Sequence, residues 1–318
     1  MANSIIFTKR EFGVNDMTDI YKLRDWVDIN NIQWDYLSEI PNAVHLLEQN
    51  IDNVYWTYLS RNPNPTAISL LKKNINKINW GALSANPNAI SLLEKNMDKI
   101  YWYNLSANPN PTAISLLKKN INKINWYCLS TNSNKNAIVL LEQNMDKVHW
   151  EILSSNPSAI HILEQNMDKI NWAYLSLNPN AIHLLEKNID KINWAYLSQN
   201  PNAIRLLEKN TNKINWHNLS KNPNAIHLLE KNIDKISWSY LSQNPNAIHI
   251  LEKNIDKINW YYLSWNTNLL TYDYNKMKVN IITSGITEEL IAKAFHPDRL
   301  LSICKKYKIH FHDLIQIY

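Results

Sequence analysis

Several columns of chemically capable side chains recur along this 318-residue chain, each with a period of 22 or 24 residues. Histidine occupies one column at His45, His161, His183, His227 and His249, with Ser69, Ser91, Ser115, Val139 and Arg205 at the same place in other copies. Imidazole is a zinc ligand, but zinc holds its donors at about 2 Å. Stacked helical copies stand roughly one helix diameter, about 10 Å, apart. One histidine per copy therefore cannot share a metal, and the column reads as a partly exposed structural position. A second column is Asp or Asn in every copy (Asn30, Asp52, Asn76, Asp98, Asn122, Asp146, Asp168, Asp190, Asn212, Asp234, Asp256). Oxygen-bearing side chains there are read as helix N-caps, which accept the orphan N–H groups of a first turn. Lys77, Lys99, Lys123, Lys147, Lys169, Lys191, Lys213, Lys235 and Lys257 form a third column. It would suit a phosphate backbone, although the Asp and Glu beside it read more simply as a solvated zwitterionic edge.

The chain has no glycine-rich phosphate loop, no GxSxG and no HExxH. His310 and His312 lack companions at metal spacing, and the two cysteines, Cys128 and Cys304, stand far apart in unlike contexts. No catalytic residue, cofactor or metal is expected, and thiols in a reducing compartment are the simple reading. Net charge is +5, drawn partly from the C-terminal 44 residues rather than from the near-neutral copies. No stretch approaches the 18 apolar residues of a membrane span, and the N-terminus lacks a signal-peptide pattern.

The columns belong to a repeat. Trp34, Trp56, Trp80, Trp102, Trp126, Trp150, Trp172, Trp194, Trp216, Trp238 and Trp260 mark eleven copies, 22 residues apart in seven steps and 24 in three. Self-similarity at such a period marks a solenoid. Within DKINWAYLSQNPNAIRLLEKNT (190–211), Asn200-Pro201 is expected to cap and open one helix. Ala203, Ile204, Leu206 and Leu207 supply its apolar face, and Asn210 is expected to close it in the left-handed conformation. A second helix is expected from Asp190 through Ile192, Trp194 and Leu197, with Ser198 near its end bonding a backbone carbonyl or tightening the turn into the next Asn-Pro. One such unit cannot bury enough surface to offset its ordering entropy, so neighbours must stack. The expected fold is an all-α solenoid of about eleven two-helix repeats. Residues 1–29 are expected to form a lead and helical cap, 30–268 the array, and 269–318 a connector and C-terminal helical cap. Within the lead, Thr18 would start a helix through Tyr21, Leu23, Trp26 and Val27. In the tail, helices from Thr287 would cover the last repeat with Phe295 and Tyr307. Three copies carry two extra residues (Pro65-Thr66, Pro111-Thr112, Lys135-Asn136), read as lengthened turns.

What varies between copies points to binding. The two positions after each Trp supply Tyr36, Tyr58, Tyr103, Tyr127, Tyr174, Tyr196, Tyr240 and Tyr262, the candidate partner-binding face. The position after each repeat serine also wanders, from Glu39 and Arg61 through Lys221 and Gln243 to Trp265. Tyrosines among mixed polar neighbours are common at interfaces. Drift after duplication, with the rings packed between repeats, is the competing reading.

His296-Pro297-Asp298 resembles the signature of J-domain co-chaperones, but the upstream helix is short and acidic at its start, and no preceding helix is evident. A plain helix start with Pro at its first position is the alternative. The repeat N-P-N-A-I-x-L-L-E-K-N-x-D-K-I-N-W-x-x-L-S, with Leu23-Arg24-Asp25-Trp26 and Ala294-Phe295-His296-Pro297-Asp298-Arg299, resembles Trp-marked repeat proteins of giant viruses of amoebae, the mimivirus group. The resemblance spans nearly the whole chain. It implies no activity and no site residues, but an intracellular protein of an infected host cell, with its place in the virion open. The expected function is a non-catalytic scaffold for a viral or host protein. Nucleic-acid binding and a structural part of the virion are the alternatives.

Overall fold

The computed structural model describes residues 20–283 and 296–307 and is an α-solenoid built from eleven Trp-marked units. The chain falls into two compact parts: an array running from Leu23 to Leu270, and a smaller part holding 20–22 and the described residues from Thr271 onward. The expected Thr18 start, the Thr287 helices with Phe295, and His310 and His312 lie outside the described residues.

A representative unit contains a 3₁₀ turn, Ile189–Lys191, a four-residue helix, Trp194–Leu197, and a second short helix, Ile204–Glu208. Ile192, Leu197, Ala203, Leu206 and Leu207 are buried. Helices this short are not stable alone, and what fixes them is side-chain bonding to the backbone. Asp190 is not the cap. It sits inside the 3₁₀ turn, and Asn193, directly before the Trp, accepts the N–H of Tyr196 at 3.1 Å. An oxygen must lie one residue ahead of the first helical turn to reach its N–H groups, and the Asp column is three residues too early. Asn210 does not take the left-handed conformation (φ −133°); its amide donates to the Leu206 carbonyl, ending the helix by side chain.

Asn200 is not a helix cap either. The chain passes through an Asx turn, with its Oδ1 accepting the Asn202 N–H, and the helix begins four residues after Asn200, at Ile204. An Asn-capped α-helix with early Pro or Lys forms in the three longer copies, Pro65–Lys73, Pro111–Lys119 and Lys135–Glu142, capped by Asn64, Asn110 and Asn134, and in the tenth unit Asn244 caps a 3₁₀ turn, Pro245–Ala247. The two extra residues thus add helix rather than loop.

The units are joined by three repeated bonds. Each repeat serine is wholly buried and donates to the Trp carbonyl four residues back at 2.7–2.8 Å, as expected. Its oxygen also accepts a backbone N–H of the following unit at 2.9–3.2 Å. The turn asparagines, from Asn62 to Asn266, form a buried ladder, each amide donating to two carbonyls of the unit before it at 2.8–3.1 Å. A second asparagine two residues on, such as Asn202, donates to the preceding unit's Pro carbonyl.

The same serine bond joins the last unit to the first: Gln33 N–H donates to Ser264 Oγ at 3.0 Å. The eleventh unit is therefore the neighbour of the first, and the array closes on itself. The seam is not a perfect copy of the other junctions. Ile40 stands where the ladder asparagine would be, and Arg24 instead bonds Leu269 O through its N–H (3.3 Å) and Asn268 O through its guanidinium (2.9 Å). The last unit meets the first, so neither end of the array is open. The lead enters as a strand, β1 (Tyr21–Leu23), paired with β2 (Leu270–Tyr272), rather than as a helix. In the smaller part, Tyr21 stacks on Tyr272 with ring centres 4.9 Å apart, and the helix Tyr274–Thr283 follows. The His296-Pro297-Asp298 triplet opens a helix, Pro297–Tyr307, whose first bonds run to the His296 carbonyl. No helix among the described residues is long and apolar enough to cross a membrane.

Candidate functional site

The eight tyrosines do not form one face. Tyr103 and Tyr127 directly follow their Trp and are exposed, 57% and 44%. The other six stand one residue later, where the helix turns them towards neighbouring units. Tyr36 is buried, and Tyr58, Tyr174, Tyr196, Tyr240 and Tyr262 are half-buried. Tyr174 and Tyr196 meet edge to face at 6.2 Å. Tyr103 hydrogen-bonds the Cys128 thiol, which pushes the Tyr103 hydroxyl up; burial pushes the thiol up in turn. The Glu151 carboxylate beside Tyr174 raises that hydroxyl as well.

Closure gathers the remaining four. Tyr36 packs edge to face on Tyr58 (5.6 Å between centres) and on Tyr261 (5.2 Å), and lies against Trp265 (4.2 Å). Tyr261 meets Tyr262, Tyr262 meets Tyr240, and Tyr240 meets His217 at 4.0 Å. Trp265 also meets Tyr58 edge-on, and Tyr58 meets Tyr55. One chain of touching rings thus runs across the seam, from the ninth unit through the eleventh to the second. Tyr55, Tyr261 and Trp265 are exposed in it, at 53%, 50% and 41%, as is His217. The Tyr36 and Tyr261 hydroxyls hydrogen-bond each other, and that bond, with burial second, pushes the Tyr36 hydroxyl up to about 12.

Charges edge the cluster. Lys221 stands 3.8 Å from the centre of the Tyr240 ring and Arg61 lies 5.9 Å from that of Tyr58. Glu39 is half-buried, and desolvation raises its carboxyl above the ordinary value of 4.5 despite the opposing pull of Arg61. Tyr261 and Trp265 belong to the variable positions of the repeat, but nothing in the local pattern of the first and last copies says that they touch.

The other columns are engaged between units. His161, His183, His227 and His249 pair with Glu142, Glu164, Glu208 and Glu230 of the preceding unit at 2.7–2.9 Å, while His45 is buried. The lysine column is not simply a solvated edge: nine ammonium groups stand 4.5–5.0 Å from the ring centre of the preceding unit's Trp. Cys128 and Cys304 are free and buried. Among the described residues, no cluster of three or more His, Cys, Asp or Glu is placed to hold a metal.

Comparison with known proteins adds no family. No protein-family model, no curated protein and no solved structure matches the chain.

Proposed function

We propose that the closed array is a non-catalytic scaffold that holds a protein partner against the aromatic cluster at its seam. One observation carries this reading: a run of touching rings built from five units presents Tyr55, Tyr261 and Trp265 to solvent, edged by Arg61, Lys221 and Glu39. Exposed aromatic side chains with a charged border are the composition of protein-binding hot spots. The resemblance to giant-virus repeat proteins directs the search to viral and host proteins of an infected amoeba.

The test is capture by the full-length chain from infected-cell lysate, with and without nuclease, beside a Tyr261→Ala/Trp265→Ala variant. The expected result is a discrete protein kept after nuclease and lost with the double substitution, while the helical circular-dichroism signal is unchanged. Retention by the variant would overturn the seam as the site. Loss of all bound material on nuclease treatment would favour nucleic acid, and recovery of the chain in purified particles would favour a virion component.

A further inference from the structure

Two of the eleven repeat indoles lack the lysine that covers the other nine. The covering lysine always comes from the next unit, three residues before that unit's own Trp, and in eight of the nine cases from its 3₁₀ turn. In the second unit this position is Asn53, so Trp34 is left without it; across the seam it is Asn31, so Trp260 is too. Beside Trp34 the surface opens into a cleft of about 600 Å³, lined by Trp34 and Asn53 themselves, by Leu23, Ile32 and Leu46, and by Asn30. All of these residues lie in the array. Among the described residues, no cation stands over the Trp34 ring.

We infer that this cleft binds a lysine side chain of a protein partner, its ammonium taking the place over Trp34 that nine internal lysines take over their own indoles. The indole face attracts a cation through its quadrupole. Leu23, Ile32 and Leu46 offer an apolar wall for the butyl stem, and the Asn30 and Asn53 amide oxygens are neutral acceptors for ammonium N–H groups. The lining contains no carboxylate, the partner that a guanidinium's planar fork suits best, so the site favours a primary ammonium. Its volume falls within the range of ligand clefts and exceeds one side chain, leaving room for the residues flanking the lysine. The inference rests on the partner being a protein, but on residues apart from the Tyr261–Trp265 cluster.

The chain carries its own control. Asn53→Lys supplies the missing lysine, a change that nine other units already tolerate. The probe is a synthetic peptide, acetyl-Gly-Gly-Lys-Gly-Gly-amide, titrated into the full-length protein while the indole N–H signals are followed by NMR, with Trp34→Phe identifying the resonance. The lysine peptide is expected to shift the Trp34 signal. A norleucine counterpart should bind about tenfold more weakly, the worth of one desolvated cation–π contact. Asn53→Lys should abolish the response with an unchanged melting curve. Absence of any response, equal binding of the norleucine peptide, or wild-type affinity in Asn53→Lys would each overturn the inference. Peptide binding that persists in Tyr261→Ala/Trp265→Ala, alongside lost partner capture, would show the two sites to be separate; loss of partner capture in Asn53→Lys alone would assign capture to this cleft instead of the seam.

Discussion

Asn200→Ala isolates the ladder that joins the units. The Asn200 side chain is 1% exposed and makes three bonds: Nδ2 donates to Ser176 O at 3.0 Å and to Asn178 O at 2.9 Å, and Oδ1 accepts the Asn202 N–H at 3.0 Å. At a net worth of about 1 kcal/mol each, the three together contribute about 3 kcal/mol. The Asn178 carbonyl keeps a second donor, the Ala181 N–H, so Ser176 O is the buried acceptor most exposed to the loss and moves the expected cost towards about 4 kcal/mol. Urea unfolding followed by circular dichroism measures this directly. With a slope of about 3 kcal/mol per molar, the midpoint falls by roughly 1 M. Asn202→Ala removes one bond at an exposed site, to Pro179 O, and should lower stability by about 1 kcal/mol or less. Asn200→Asp adds a sharper test. A carboxylate has no N–H to donate, so the variant should be weakest at neutral pH and recover partly in acid, where a protonated carboxyl regains one donor. An Asn200→Ala midpoint within experimental error of wild type would refute the ladder as the joint between units.

Two further expectations follow from the seam. Ser264→Ala and Ser198→Ala should destabilise equally, by about 1–2 kcal/mol, because each serine donates one bond and accepts one from a neighbouring unit; in urea unfolding, a Ser264→Ala effect of only half that of Ser198→Ala would mean that the last unit has no neighbour. Glu39 should make stability depend on pH. Its folded carboxyl is raised above 4.5, so the native state binds the proton more tightly than the unfolded chain. Stability from this group is greatest below 4.5 and falls as pH rises through the raised value. Glu39→Gln should therefore gain Tm relative to wild type between pH 4 and pH 7, and parallel curves would remove Glu39 as the cause.

The period, the unit, the apolar faces and the serine's bond to the Trp carbonyl are all legible in the sequence, since each depends on residues within one turn or one unit of one another. Asn200 shows where that legibility stops. Beside Pro201 it matches a local capping pattern, yet its amide bonds lie 22 and 24 residues back, in the preceding unit. Lys213 reads as a solvated charge because the indole beneath it, Trp194, belongs to another unit. Tyr103 and Tyr127 differ from the other six tyrosines by a single residue of register, which on a helix turns the side chain by about 100°; the columns look alike in sequence, but their exposure does not.

The sequence by itself determined that this protein is a helical array of eleven stacked units. Tertiary structure alone decided that the array closes, bringing Tyr36 to Tyr261 and Trp265. Closure depends on a small rotation between neighbours summed over eleven units. That rotation is set by how whole units pack, and no local residue pattern encodes the total.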